Sequence, residues 1–158
     1  MPLVEGATGE RVKTSLRWKA QPQLRASVGD IYQVETAACT CGAPGPRVRV
    51  LGRTDDLLIV KGVKVYPAAV KNLIAELVPL ASGAFRILLD EPGPRVVPPL
   101  RLTVERGQAV DESGGGQLAR QVESLMHQRL SVRPQVEIVP CGTFERVAHK
   151  ETLIERRY

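Results

Sequence analysis

Apolar and polar residues alternate over residues 10–16, and short apolar runs follow at 31–34 and 48–51, with Gly29-Asp30 as punctuation between them. A period near two with runs this short predicts β-strands separated by turns. Residues 39–46, CTCGAPGP, contain two glycines and two prolines and predict a loop. No helical periodicity precedes Gly52. The segment 1–51 is therefore expected to be β structure too open to bury a core by itself.

Beyond Gly52 the pattern sharpens. Residues 57–60 and 63–66 are strand-like runs around Lys61-Gly62, a tight hairpin in which Gly62 supplies a positive φ. Pro67 stands where a helix begins, since its fixed φ and missing donor suit a first turn. Val70, Leu73, Ile74 and Leu77 then form one apolar stripe at i, i+3, i+4, i+7, which Pro79 stops. Residues 85–89 predict a strand. Residues 100–105, LRLTVE, alternate without error and predict a strand with one wet face. DESGGGQ at 111–117 reads as a flexible connector. Leu118, Val122, Leu125 and Met126 mark a second amphipathic helix, and 136–138 a last strand. The order from the hairpin onward is β-α-β-β-α-β. This split βαβ arrangement makes the fold class α+β, with an antiparallel sheet and two helices on one face. The tail from Cys141 to Tyr158 is not needed to complete that sheet.

Composition changes this picture little. The chain has 158 residues, 43% hydrophobic and 25% charged, in the range of an ordinary globular protein. No run approaches the ~18 apolar residues of a membrane helix, and the N-terminus has no basic-then-apolar pattern, so a cytoplasmic protein is expected. The net charge of +5 comes mostly from arginines scattered along the chain, which read as a solvated surface. Three cysteines make no disulfide framework. Cys39 and Cys41, in CTCG, are half of a tetrahedral zinc site or a pair of reduced thiols.

One stretch, GRTDDLLIVKGVKVYP at 52–67, places two adjacent acids before an apolar run. It resembles the hinge motif of adenylate-forming enzymes, in the form used by phenylacetate–CoA ligases and related aryl-CoA ligases. The likeness extends along the chain: EGATGE resembles the family's EGETGEL turn, QPQLRASVGD its PLIRYRTGD motif, CTCG its CPCG loop, and GTFERVAHK its terminal GSLPRSEGK. Four further motifs in the right order make the resemblance specific.

The resemblance implies that a carboxylic acid is joined to ATP, with Mg2+, as an acyl-adenylate, from which coenzyme A displaces AMP. A small C-terminal domain swings about a hinge between the two steps. Asp55 is then the hinge residue; a solvated carboxylate there keeps the pivot out of either core. Asp30 resembles the acid that accepts the ribose hydroxyls, and Arg53 the arginine that also fixes the nucleotide. Gly62, Val63 and Lys64 match the hairpin lining the pantetheine path. Lys150 matches the adenylation lysine, whose ammonium bridges carboxylate and phosphate oxygens as charge develops. There are departures: Ala26 and Val28 replace an aromatic residue and a threonine, and Val147-Ala148-His149 replaces SEG before the lysine.

By the same resemblance, residues 1–51 correspond to the end of the family's large N-terminal domain and 52–158 to its mobile C-terminal domain. The family's phosphate-binding loop and acyl pocket have no counterpart here, so the chain is expected to be inactive without an N-terminal adenylation half. Any zinc would need ligands from that half. Unpaired strand edges and uncovered apolar residues (Val12, Leu16, Ile31, Val34, Val48, Val50) predict a homodimer through residues 1–51. The competing function is a stand-alone regulatory or protein-binding module that keeps the fold without ligase activity. RNA recognition by the same fold requires aromatics on the central strands, and LRLTVE has none. Nucleic acid is not expected as a partner, nor is a membrane.

Overall fold

Strand-forming residues dominate the first third of the chain, and a computed structural model, which describes residues 4–145 and 153–158, shows what they build. The chain separates into two compact units, Met1–Asp56 and Leu57–Tyr158. In the first, β1 (Thr8–Lys13), β2 (Ala26–Glu35) and β3 (Arg47–Arg53) form an antiparallel meander with β2 at its centre. The EGATGE turn is closed by Glu5, whose carboxylate accepts the Thr36 hydroxyl at 2.6 Å and the Thr36 N–H. Polar contacts stitch the meander across its strands. Arg47 and Arg49 pair with Glu35 at 3.7 and 3.6 Å, and the Arg11 guanidinium stacks 5.2 Å from the Tyr32 ring centre.

Apolar cover is sparse in this unit. Val12, Leu16, Val48 and Val50 are exposed as expected, and so are Trp18 and Leu24. Two members of the expected uncovered set are not bare: Val34 is buried and Ile31 is half-buried. The reason is their place on the central strand, flanked by β1 and β3, where Val34 also exchanges backbone hydrogen bonds with Gly6 and Ala7. Among the described residues, the hydrophobic core lies wholly within 57–158.

The second unit opens with β4 (Leu58–Val60) and β5 (Val63–Val65), antiparallel around Lys61 and Gly62. Both turn residues have positive φ, 48° and 85°, the two left-handed positions of a type I′ hairpin turn. β7 (Arg95–Val96) joins β4 in parallel, so the hairpin belongs to its own three-stranded sheet. Helix α1 (Pro67–Glu76) starts on its proline and buries Val70, Leu73 and Ile74; Leu77 caps it. Helix α2 (Gly115–Leu130) buries Leu118, Val122 and Met126. The helices touch each other and pack on β6 (Ala81–Leu89) and β9 (Pro134–Val139).

The main sheet has the order β10-β6-β8-β9, where β8 is Leu100–Arg106 and β10 is Ile154–Arg156. The α+β class, the helices and the leading β segment are as expected, but the sheet is mixed. β6 and β8 are antiparallel, while β8–β9 and β10–β6 are parallel. The tail is also part of it, contrary to expectation. Ile154 lies opposite Ile87 and is buried in the core, and the β6 edge is paired through Ile87 N–H to Leu153 O at 2.9 Å and Arg157 N–H to Leu89 O at 2.8 Å. The hairpin sits in its own sheet, and a three-residue tail strand covers the β6 edge.

Two local readings also change. The second face of β8 is largely covered: Thr103 and Glu105 are both buried, Glu105 with 1% exposure, while Arg101 at its start stays partly exposed. The chain after β9 returns over them, the Phe144 N–H donating to the Glu105 carboxylate at 2.9 Å while the Arg86 guanidinium lies 4.7 Å from the Phe144 ring centre. The connector DESGGGQ is ordered. Asp111 accepts the Ser113 hydroxyl and the Gly114 N–H, each at 2.8 Å, and α2 begins at Gly115. Gly115 is buried where a Cβ would meet Ile138 at 3.7 Å, so a small residue lets the helix start close to the sheet.

Candidate functional site

The two strands that end the first unit place three of the candidate residues together. Asp30 on β2 and Arg53 on β3 are direct cross-strand partners, a pairing that puts their side chains on one face. The Arg53 Nη1 donates to Asp30 Oδ1 at 3.3 Å and to the Val28 carbonyl at 3.2 Å. Its Nε and Nη2 donate to the two oxygens of Asp55 at 2.9 and 3.1 Å. That fork-to-fork geometry is the strongest arrangement a guanidinium and a carboxylate can make. Asp55, first by hydrogen bond and then by charge, raises the Arg53 pKa above its ordinary range, with Asp30 and Asp56 adding charge. Arg11 reaches the other Asp30 oxygen at 4.0 Å.

Gly29 makes this packing possible. Its φ is +79°, and a Cβ there would lie 3.2 Å from Thr54 Oγ1 and 3.3 Å from Arg53 Nη2. Its carbonyl accepts the Thr54 N–H at 2.7 Å, locking β2 to the end of β3. The Gly-Asp step thus has two functions: the glycine gives the guanidinium room, and the aspartate presents its carboxylate beside it.

The array is open to water, with side-chain exposures of 26% for Asp30, 40% for Arg53 and 63% for Asp55. Ion pairs this exposed contribute little to stability, so their value is geometric. A half-exposed carboxylate beside a fixed cation is suited to accept hydroxyl donors from a polar ligand. The sequence assigned the three residues separate tasks; their joining through one guanidinium was not foreseen, because it depends on cross-strand register.

The other candidates lie apart from this array in the chain. Gly62 and Lys64 are exposed on the β4–β5 hairpin, and Val63 is half-buried against the core. Nothing lies within 4 Å of a Cβ at Gly62, so its requirement here is the positive φ. Cys39 and Cys41 are adjacent, sulfur to sulfur 2.9 Å. Among the described residues no group of three or more His, Cys, Asp or Glu could hold a metal ion. Two thiols do not fit a complete tetrahedral zinc site. Lys150 and the preceding Val147-Ala148-His149 lie outside the described residues. Among the described residues no helix is long and apolar enough to cross a membrane.

In chain order, a β meander carrying an acid–guanidinium–acid array is followed by a mixed α+β domain. Residues 62–157 match the family of the AMP-binding enzyme C-terminal domain, and the chain belongs to that family. Its relatives make it phenylacetate–CoA-ligase-like. It is 37% identical over 113 residues to the phenylacetate-coenzyme A ligase of Thermus thermophilus, covering 71% of this chain and 22% of the relative. It is 29% identical over 151 residues to that of Pseudomonas putida, covering 91% of this chain and 32% of the relative. The chain therefore spans about a fifth to a third of the length of these ligases. The fold matches a crystal structure of 2-hydroxyisobutyryl-CoA ligase with a TM-score of 0.86 at 23% identity, over 97% of this chain and 33% of that one.

Proposed function

We propose that this chain supplies the C-terminal machinery of an acid–CoA ligase that acts through an acyl-adenylate, with an aryl acid of the phenylacetate type as the substrate class. The observation that carries the reading is the joining of Asp30, on β2, to Arg53 and Asp55, which directly precede the unit boundary at Asp56. Asp30 accepts the ribose hydroxyls of ATP, and Arg53 fixes both that acid and the nucleotide. Asp55, exposed and bound to Arg53, is the pivot. Rotation there changes φ/ψ without unpacking a core, and the Arg53 contact ties the pivot to the nucleotide site.

In the first half-reaction the acid's carboxylate oxygen attacks the α-phosphorus of the Mg2+-bound ATP and pyrophosphate leaves. Lys150 neutralises the oxygens on which charge accumulates; this role rests on the terminal motif GTFERVAHK. In the second, the thiol of coenzyme A attacks the acyl carbonyl and AMP leaves. The hairpin of Gly62, Val63 and Lys64 then lines the pantetheine path, with the exposed Lys64 ammonium available to a CoA phosphate. ATP's phosphates and the acid need an N-terminal adenylation half, as a separate chain or as the rest of a longer one, so the isolated chain is inactive. The bare apolar residues of the first unit make it self-associate when that half is missing.

The test is reconstitution. Mixed with an N-terminal half of a phenylacetate-coenzyme A ligase, the chain should restore pyrophosphate release. Lys150→Ala should cut adenylation by about 10²-fold or more while thioester formation from preformed adenylate falls less. Pyrophosphate release by the chain alone, or equal loss in both half-reactions, would refute the assignment. A regulatory module would restore neither half-reaction.

A further inference from the structure

We propose that Cys39 and Cys41 form a modification site, a dithiol that a hydroperoxide converts into an intramolecular disulfide. The pair lies in the loop between β2 and β3. Gly42 N–H donates to the Cys39 carbonyl at 3.0 Å and Gly42 has φ +76°, closing a four-residue turn with Cys39 first and Cys41 third. This fold brings the sulfurs to 2.9 Å, with Cys41 exposed and Cys39 partly so. A disulfide needs them at about 2.0 Å with Cα atoms roughly 4.4–6.8 Å apart. A turn holds residues two apart within that span, so closure requires side-chain rotation and little more.

The two thiols differ. Cys41 is exposed and Cys39 only partly so, so Cys41 is the sulfur a hydroperoxide reaches first, and it attacks as the thiolate, the reactive form. Its sulfur attacks the terminal oxygen of the hydroperoxide. The O–O bond breaks, an alcohol or water leaves, and Cys41 becomes a sulfenic acid. The Cys39 sulfur then attacks the sulfenyl sulfur, the S–O bond breaks, and hydroxide departs with the Cys39 proton as water. Two thiols lose two electrons and the hydroperoxide gains them. A thiol reductant reverses the bond, as befits the transient disulfides of reducing compartments.

The full chain, treated with hydrogen peroxide at neutral pH, should lose two of its three titratable thiols together, at least about tenfold faster than the third. The peptide containing Cys39 and Cys41 should become lighter by two hydrogens, and dithiothreitol should restore it. Cys141→Ser should leave this behaviour unchanged. Cys39→Ser should halt the reaction at a Cys41 sulfenic acid that dimedone captures. Disulfides between chains, oxygen added to Cys41 while Cys39 remains a free thiol, or faster loss of Cys141 would each overturn the proposal.

Discussion

Shortening the chain at its C-terminus gives the sharpest test of the sheet. Ile154 is 6% exposed and packs in the core opposite Ile87. Ile154→Ala removes buried methyl and methylene groups and should cost about 2–5 kcal/mol, toward the lower end because a short edge strand can relax. Ending the chain at Glu145 also removes the backbone pairing of β10 with β6, including the bonds from Ile87 to Leu153 and from Arg157 to Leu89, worth about 1 kcal/mol each. With burial of the isoleucine contributing about 1.5–3 kcal/mol, the truncation should cost at least about 3.5–5 kcal/mol. That is a large share of a domain stability of about 5–15 kcal/mol. Urea titration followed by far-UV circular dichroism measures it. Ile154→Ala should lower the midpoint with an unchanged slope, and the truncated chain should be partly unfolded without denaturant. A truncated chain with the midpoint of the full one would mean that β10 is dispensable, and would refute the completion of the sheet by the tail.

Two further outcomes follow from the same contacts. The Ser113 hydroxyl and then the Gly114 N–H hold the Asp111 carboxyl below its ordinary pKa, so the folded value lies beneath the unfolded one. The stability it contributes is present above about pH 4 and is lost as pH falls through the folded value. Asp111→Asn should therefore flatten the acid limb of the thermal-stability profile below about pH 4; an unchanged limb would contradict a stabilising role for the Asp111 contacts. Light scattering on the full chain should give a dimer, whereas a chain beginning at Val50 should be a monomer with an intact fold. A monomeric full chain at high concentration would sink the self-association argument.

Most of the local structure was legible from side-chain periodicity. The i, i+3, i+4 stripe of Val70, Leu73 and Ile74 reflects the geometry of one helix, and the Lys61-Gly62 step reflects one turn. Such signals are written within a few residues. The motifs GRTDD, CTCG and the Gly29-Asp30 step likewise identified the family, because they are short runs of fixed chemistry. What the pattern could not contain was partnership between distant segments. LRLTVE alternates as if half were wet, yet Glu105 is buried under Phe144, 39 residues later. No periodicity within a strand records what will cover it. The tail strand was missed for the same reason: residues 154–156 are too few to show a period, and only the exposed edge of β6 makes them a strand. The three-residue array of Asp30, Arg53 and Asp55 was named from the sequence residue by residue, but its joining is a property of the β2–β3 register. Sequence determined the elements and the chemical groups. Tertiary structure decided which edges are paired, which carboxylates are dry, and which groups share a proton donor, because burial and hydrogen bonding depend on neighbours that the chain supplies from far away.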